Sequence, residues 1–115
     1  MKYLKTFDSI SKGINNIITT MDFSGKKLDK LPELPETLLT LYCNNCGLYE
    51  LPKLPKNLKH LKCSNNNLKE LPELPDTITE LRCYGNKLSY NNLEEYKIWY
   101  DKKYPEIAAA KKYNL

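Results

Sequence analysis

The sequence predicts an α/β solenoid: short parallel strands stacked into one sheet, extended proline-rich returns behind them, and helices closing both ends. Three observations carry this expectation. The first is repetition. Residues 51–71, LPKLPKNLKHLKCSNNNLKEL, recur at a shift of 20 residues, with Leu51, Pro52, Leu54, Pro55, Leu58, Leu61, Cys63, Asn66 and Leu68 landing on Leu71, Pro72, Leu74, Pro75, Ile78, Leu81, Cys83, Asn86 and Leu88. The same shift backward reaches Leu31, Pro32, Leu34, Pro35, Leu38, Leu41, Cys43, Cys46 and Leu48, and a further one finds a degenerate copy in Ile18, Met21, Phe23 and Leu28. Such a period marks an array whose units bury their apolar edges against their neighbours. The second is alternation: Leu61 and Cys63 alternate with His60 and Lys62, the period-2 pattern of a strand with one buried face. The third is the paired Leu-Pro steps, which exclude regular helix because each proline removes a donor and holds the preceding residue extended.

Taken in order, residues 1–17 form an N-terminal cap. Tyr3, Leu4, Phe7 and Ile10 make a helical stripe over residues 2–12, and Gly13 stands where a helix stops. Residues 18–90 hold four 20-residue units. In each, a strand is followed by a position, Asn66 or Asn86, whose buried amide can bond the backbone of the neighbouring unit. Cys46 takes that position in the second unit and Lys26 in the first. Residues 91–115 form a C-terminal cap. Leu93, Tyr96, Trp99 and Tyr100 share a helical face, Asn92 with Glu95 resembles a capping box, and Lys102 and Lys103 suit the end of the helix. Pro105 begins a second short helix.

Composition narrows the function. A net charge of +4 spread over 115 residues falls short of the clustered basic face of a dedicated nucleic-acid binder. No apolar run is long enough to cross a bilayer, and the N-terminus MKYLKTFDSI has no signal-peptide core, so the expected location is cytoplasmic, without secretion through a signal peptide. Cys43 and Cys46 spell C-x-x-C, the spacing of a redox pair or half a zinc site. Their repeat positions favour packing instead: Cys43, Cys63 and Cys83 form an inward column, whose alternative use is as a thiolate site for a soft metal. His60, the sole histidine, falls on the opposite strand face, which argues against a Cys/His metal site or a Cys-His catalytic pair. The sequence asks for no cofactor and no catalytic chemistry.

At these residues the repeat resembles a leucine-rich repeat of the shortest kind. The period and the Leu-Pro-x-Leu-Pro turn are similar to those of the YopM and IpaH groups of bacterial effectors. The strand cysteine in HLKCSNNNLKELPELP, and the text from NNLEEYKIWY onward, look still more like the short leucine-rich-repeat proteins of giant amoeba viruses. The resemblance implies a curved sheet on the concave side, helical caps, and a role in host interaction. IpaH-type ligase activity belongs to a separate domain that this chain is too short to hold after its repeats, so that activity is not expected.

The expected working surface is the solvent-facing side of the sheet. In repeat register, Asp22, Tyr42, Lys62 and Arg82 form one column, Thr20, Thr40, His60 and Glu80 a second, and Ser24, Asn44, Ser64 and Tyr84 a third. Tyrosines beside Lys and Arg are typical interface anchors. The expectation is a non-catalytic protein-binding module using Tyr42, His60, Lys62, Glu80, Arg82 and Tyr84 against a protein with an acidic or phosphorylated patch, acting as a monomer or weak homo-oligomer. A structural or assembly protein, such as a virion component, and a nucleic-acid accessory protein are the alternatives.

Overall fold

The computed structural model describes residues 17–113; the N-terminal helix expected over residues 2–12 lies outside them. Four three-residue strands, β1 (Thr20–Asp22), β2 (Thr40–Tyr42), β3 (His60–Lys62) and β4 (Glu80–Arg82), form one sheet in the order β1-β2-β3-β4. Every pair is parallel and in the register of the repeat, with Thr20, Thr40, His60 and Glu80 side by side, then Met21, Leu41, Leu61 and Leu81, then Asp22, Tyr42, Lys62 and Arg82. Two helices follow, α1 (Leu93–Lys103) and α2 (Pro105–Tyr113), which makes this an α/β fold.

The alternation sets the strand faces. Leu41, Leu61 and Leu81 point into the core while their neighbours on either side face outward. The core continues through Leu38, Leu48, Leu58 and Leu68, each fully buried and each worth about 1.5–3 kcal/mol on transfer from water. The Leu-Pro returns are neither helix nor strand. Each ends in a tight turn that aims the chain back at the sheet: the N–H of Leu38 donates to Pro35 O (3.1 Å), that of Leu58 to Pro55 O (3.2 Å) and that of Ile78 to Pro75 O (3.1 Å). After each strand the chain turns away through a left-handed residue, with φ of 80° at Gly25, 57° at Asn45, 58° at Asn65 and 67° at Gly85, where glycine and asparagine are the tolerant choices.

The end of the array differs from its middle. Beyond β4, Arg82 pairs antiparallel with Asn92, and Cys83 N–H donates to Asn91 O (2.9 Å), so a two-residue stub takes the place of a fifth strand. Asn92 then caps α1 by accepting from Glu95 N–H at 2.9 Å. The Glu95 carboxylate reaches back to the N–H of Asn91 (3.0 Å), one residue earlier than in the usual capping box. Tyr90 is the buried plug beneath the helices, with Tyr96 and Trp99 rings each 5.0 Å from its own. The aromatic face of α1 is only half-buried, and Leu71, Leu74, Ile78 and Leu88 are left partly open.

Candidate functional site

The solvent-facing side of the sheet brings together four of the side chains singled out by the sequence. Glu80 stands between two cations, its Oε2 3.1 Å from Arg82 Nη2 and its Oε1 3.8 Å from Lys62 Nζ. The Lys62 ammonium also lies over the Tyr42 ring, 5.4 Å from its centroid. Tyr42, Lys62, Glu80 and Arg82 therefore form one connected group across three strands. Of the two cations Arg82 is the more exposed, with 57% of its side chain accessible against 27% for Lys62, and its guanidinium carries five donors, more than the pair with Glu80 uses.

His60 belongs to the neighbouring column. Its Nδ1 and the Thr40 hydroxyl share a hydrogen bond at 3.2 Å, which fixes the ring over β2. Tyr84 lies beyond the end of β4 and is half exposed; its backbone N–H donates to the Ser64 hydroxyl at 3.2 Å. That bond is one rung of a polar ladder along the strand ends. Ser24 Oγ accepts from Asn44 N–H (3.1 Å), and Asn44 Oδ1 accepts from Ser64 N–H (2.8 Å). The third column thus holds the backbone of the face in place as well as lining it. Sequence reasoning foresees neither the pairing of Thr40 with His60 nor this ladder; the recurrence of Ser, Asn and Ser at 20-residue steps is the signal that could have found the second.

Charge on this face is arranged, not massed. Asp22 lies at the β1 end, and Lys62 and Arg82 lie on β3 and β4 with Glu80 beside both, so the two acids and two bases cancel formally while both bases sit in the β3–β4 half of the sheet. The Asp22 carboxylate is itself engaged, accepting from Ser24 N–H at 2.9 Å.

Behind the sheet, Cys43, Cys63 and Cys83 are free, fully buried thiols. Burial pushes Cys43 and Cys83 up to about 12, with Cys46 and Asp22 adding to the first and Glu95 to the second, and it drives Cys63 higher still. Such thiols stay protonated at neutral pH and are poor nucleophiles and ligands. Among the described residues no group of three or more His, Cys, Asp and Glu side chains is placed to hold a metal ion. Cys46 serves the backbone instead, since its Sγ donates to Phe23 O at 3.1 Å, the bond that Asn66 makes to Cys43 O one unit later. Also among the described residues, no helix is long and apolar enough to cross a membrane.

No protein-family model matches this chain, and no curated protein matches it.

Proposed function

We propose that the chain is a leucine-rich-repeat solenoid acting as a non-catalytic module that binds a protein partner on the concave face of its sheet. The observation that carries this reading is the in-register row Asp22–Tyr42–Lys62–Arg82, mounted on strands whose backbone bonds and side-chain ladders already fix it. Side chains ordered before contact lose little entropy on binding, and Tyr42 with Arg82 supplies the aromatic and guanidinium anchors that dominate interface energy. The exposed Arg82 donors, backed by Lys62, favour a carboxylate or phosphate on the partner, and the acid at Asp22 sets the direction in which the partner lies. The short repeat and strand cysteines favour the host-interaction role of the giant-virus proteins that the sequence resembles, with the host cytoplasm or the virion as the location.

The test compares retention of partners on immobilised wild-type protein and on the triple variant Tyr42→Ala/Lys62→Gln/Arg82→Gln. Glutamine is chosen over glutamate because a second carboxylate beside Glu80 would perturb the sheet by itself. A protein held by the wild type and lost by the folded variant supports the reading. Equal retention by both assigns binding to another face.

A further inference from the structure

A second site lies where the helices meet the last unit of the array. Tyr96, Trp99 and Tyr100 of α1 and Tyr104 at its end form one aromatic cluster, with successive ring centroids 5.7, 6.5 and 4.8 Å apart. Within it the Trp99 and Tyr104 rings stand at right angles, with an interplanar angle of 89° and centroids 6.4 Å apart. They make two walls of a corner, and the corner holds a cation. Lys103 Nζ lies 4.9 Å from the centroid of the Trp99 ring and 5.7 Å from that of Tyr104. From α2, the Lys111 ammonium lies 5.5 Å from the Tyr100 centroid. All three distances fall inside the roughly 6 Å over which a ring face attracts positive charge. The rings of Trp99 and Tyr104 line a groove of 570 Å³ together with Leu71, Pro72 and Ile107. Glu70, Glu73, Lys69 and Lys103 also border it, so two acids remain against one base once Lys103 is set aside. The Glu73 charge is felt at the cluster: it adds to burial and to the neighbouring Tyr100 in raising the Tyr96 phenol.

We propose that this corner recognises a trimethylated lysine of a partner protein, whose quaternary ammonium takes the place of Lys103. A plain ammonium is strongly hydrated and carries three donors that aromatic walls cannot satisfy. Trimethylation removes the donors and keeps the charge, so the group gives up less on leaving water while the rings still attract it. Lys103 is exposed and on a flexible stem, which makes it a displaceable occupant. Charge and polarity choose the source of the quaternary group. In a choline headgroup a phosphate follows two carbons behind the nitrogen and would meet a groove bordered by Glu70 and Glu73. A lysine brings a four-carbon apolar stem instead, which suits Leu71, Pro72 and Ile107. The site lies apart from the solvent-facing side of the sheet and does not rest on the function proposed for it.

The experiment titrates the whole chain with Nα-acetyl-Nε-trimethyl-lysine methylamide and follows the emission of Trp99, the only tryptophan in the sequence. The expected result is a saturable change, with the unmethylated lysine derivative and the neutral isostere bearing carbon in place of the quaternary nitrogen each binding about fivefold or more weakly. Lys103→Gln removes the internal competitor from an exposed position and should tighten binding of the trimethylated probe, whereas Glu73→Gln, also exposed, should weaken it. An absent or unsaturable change even with Lys103→Gln overturns the proposal. So does equal binding of the neutral isostere, which would mean that the groove takes apolar groups without regard to charge. Tighter binding of phosphocholine than of the lysine probe overturns the assignment to a modified protein.

Discussion

The side-chain amide of Asn66 donates to the carbonyl oxygen of Cys43 at 2.8 Å, bridging two neighbouring units. The same nitrogen donates to Cys63 O at 3.0 Å, while Oδ1 accepts from the N–H groups of Cys46 (2.9 Å) and Leu48 (3.0 Å). One buried side chain thus satisfies backbone groups that have no water to turn to. Asn66→Leu keeps much of the volume but leaves these groups unpaired, at about 1–3 kcal/mol for each one left truly unsatisfied. The expected loss is about 3 kcal/mol or more, read as a lowered urea midpoint with an unchanged slope. Asn86→Leu, at the half-buried rung nearer the end, should lose less. A loss below about 1 kcal/mol for Asn66→Leu would show that the units hold together without the amide.

Gly85 is required for two separable reasons, and a pair of substitutions divides them. Its φ of 67° and the φ of 80° at Gly25 both disfavour a side chain, by about 1–2 kcal/mol. Only at Gly85 is the space also taken, because an added Cβ would overlap Asn65 Oδ1 and approach its backbone, whereas nothing lies within 4 Å at Gly25. Gly85→Ala should therefore destabilise clearly more than Gly25→Ala in parallel thermal melts. Equal losses would show that Asn65 moves aside without penalty.

Strand positions and their pairing were legible because two periods agree: alternation fixes which residues face inward, and the 20-residue shift fixes which residues stand side by side. Tyr42 beside Lys62 beside Arg82 is the direct outcome. The buried amide of Asn66 was legible for the same reason. Less visible was that the ladder continues past it, since the Cys46 thiol reads as an apolar residue in a C-x-x-C spacing until its donor is seen bonded to Phe23 O. The charge at the candidate site was legible only in part. Lys62 and Arg82 suggest a basic centre, but Glu80 belongs to the adjacent column, and side-chain reach across a parallel sheet, not sequence spacing, lets its carboxylate touch both. The helical face of Leu93, Tyr96, Trp99 and Tyr100 was likewise readable, while the Asn91–Asn92 stub, which pairs with β4 just before α1, has no periodic signal.

Stability should fall in alkali well before the backbone is affected. Cys43 and Cys83 have an ordinary value near 9 and are raised in the fold to about 12, with burial as the leading cause. Between these limits the unfolded chain releases thiol protons that the folded chain retains, so unfolding gains as pH rises. The contribution of each thiol is fully present below pH 9 and declines through the window from 9 to 12, at up to about 1.4 kcal/mol per pH unit. Cys63 and Tyr90, raised by the same burial, act in the same direction. Urea midpoints compared at pH 7 and pH 10 should drop, and Cys43→Ala/Cys83→Ala should flatten that drop even though the variant begins less stable. A midpoint that does not change with pH would mean that the column is open to water.

Asn92 links the helical end to the sheet, so its removal should be felt in both. Its Oδ1 accepts from Glu95 N–H (2.9 Å), Glu95 Oε1 accepts from Asn91 N–H (3.0 Å), and Asn91 O accepts from Cys83 N–H (2.9 Å). Asn92→Ala deletes the cap of α1, an effect of about 1 kcal/mol where a cap acts alone. Because α1 starts immediately after the stub that closes β4, fraying of its first turn frees Glu95 and loosens the hold on Asn91. Hydrogen exchange should then accelerate at the Cys83 amide as well as at Glu95, while the amides of Cys43 and Cys63, bonded to Lys62 O and Arg82 O within the array, keep their protection. Acceleration confined to the α1 amides would show instead that the stub is held by the sheet alone and that the helix end moves independently of it.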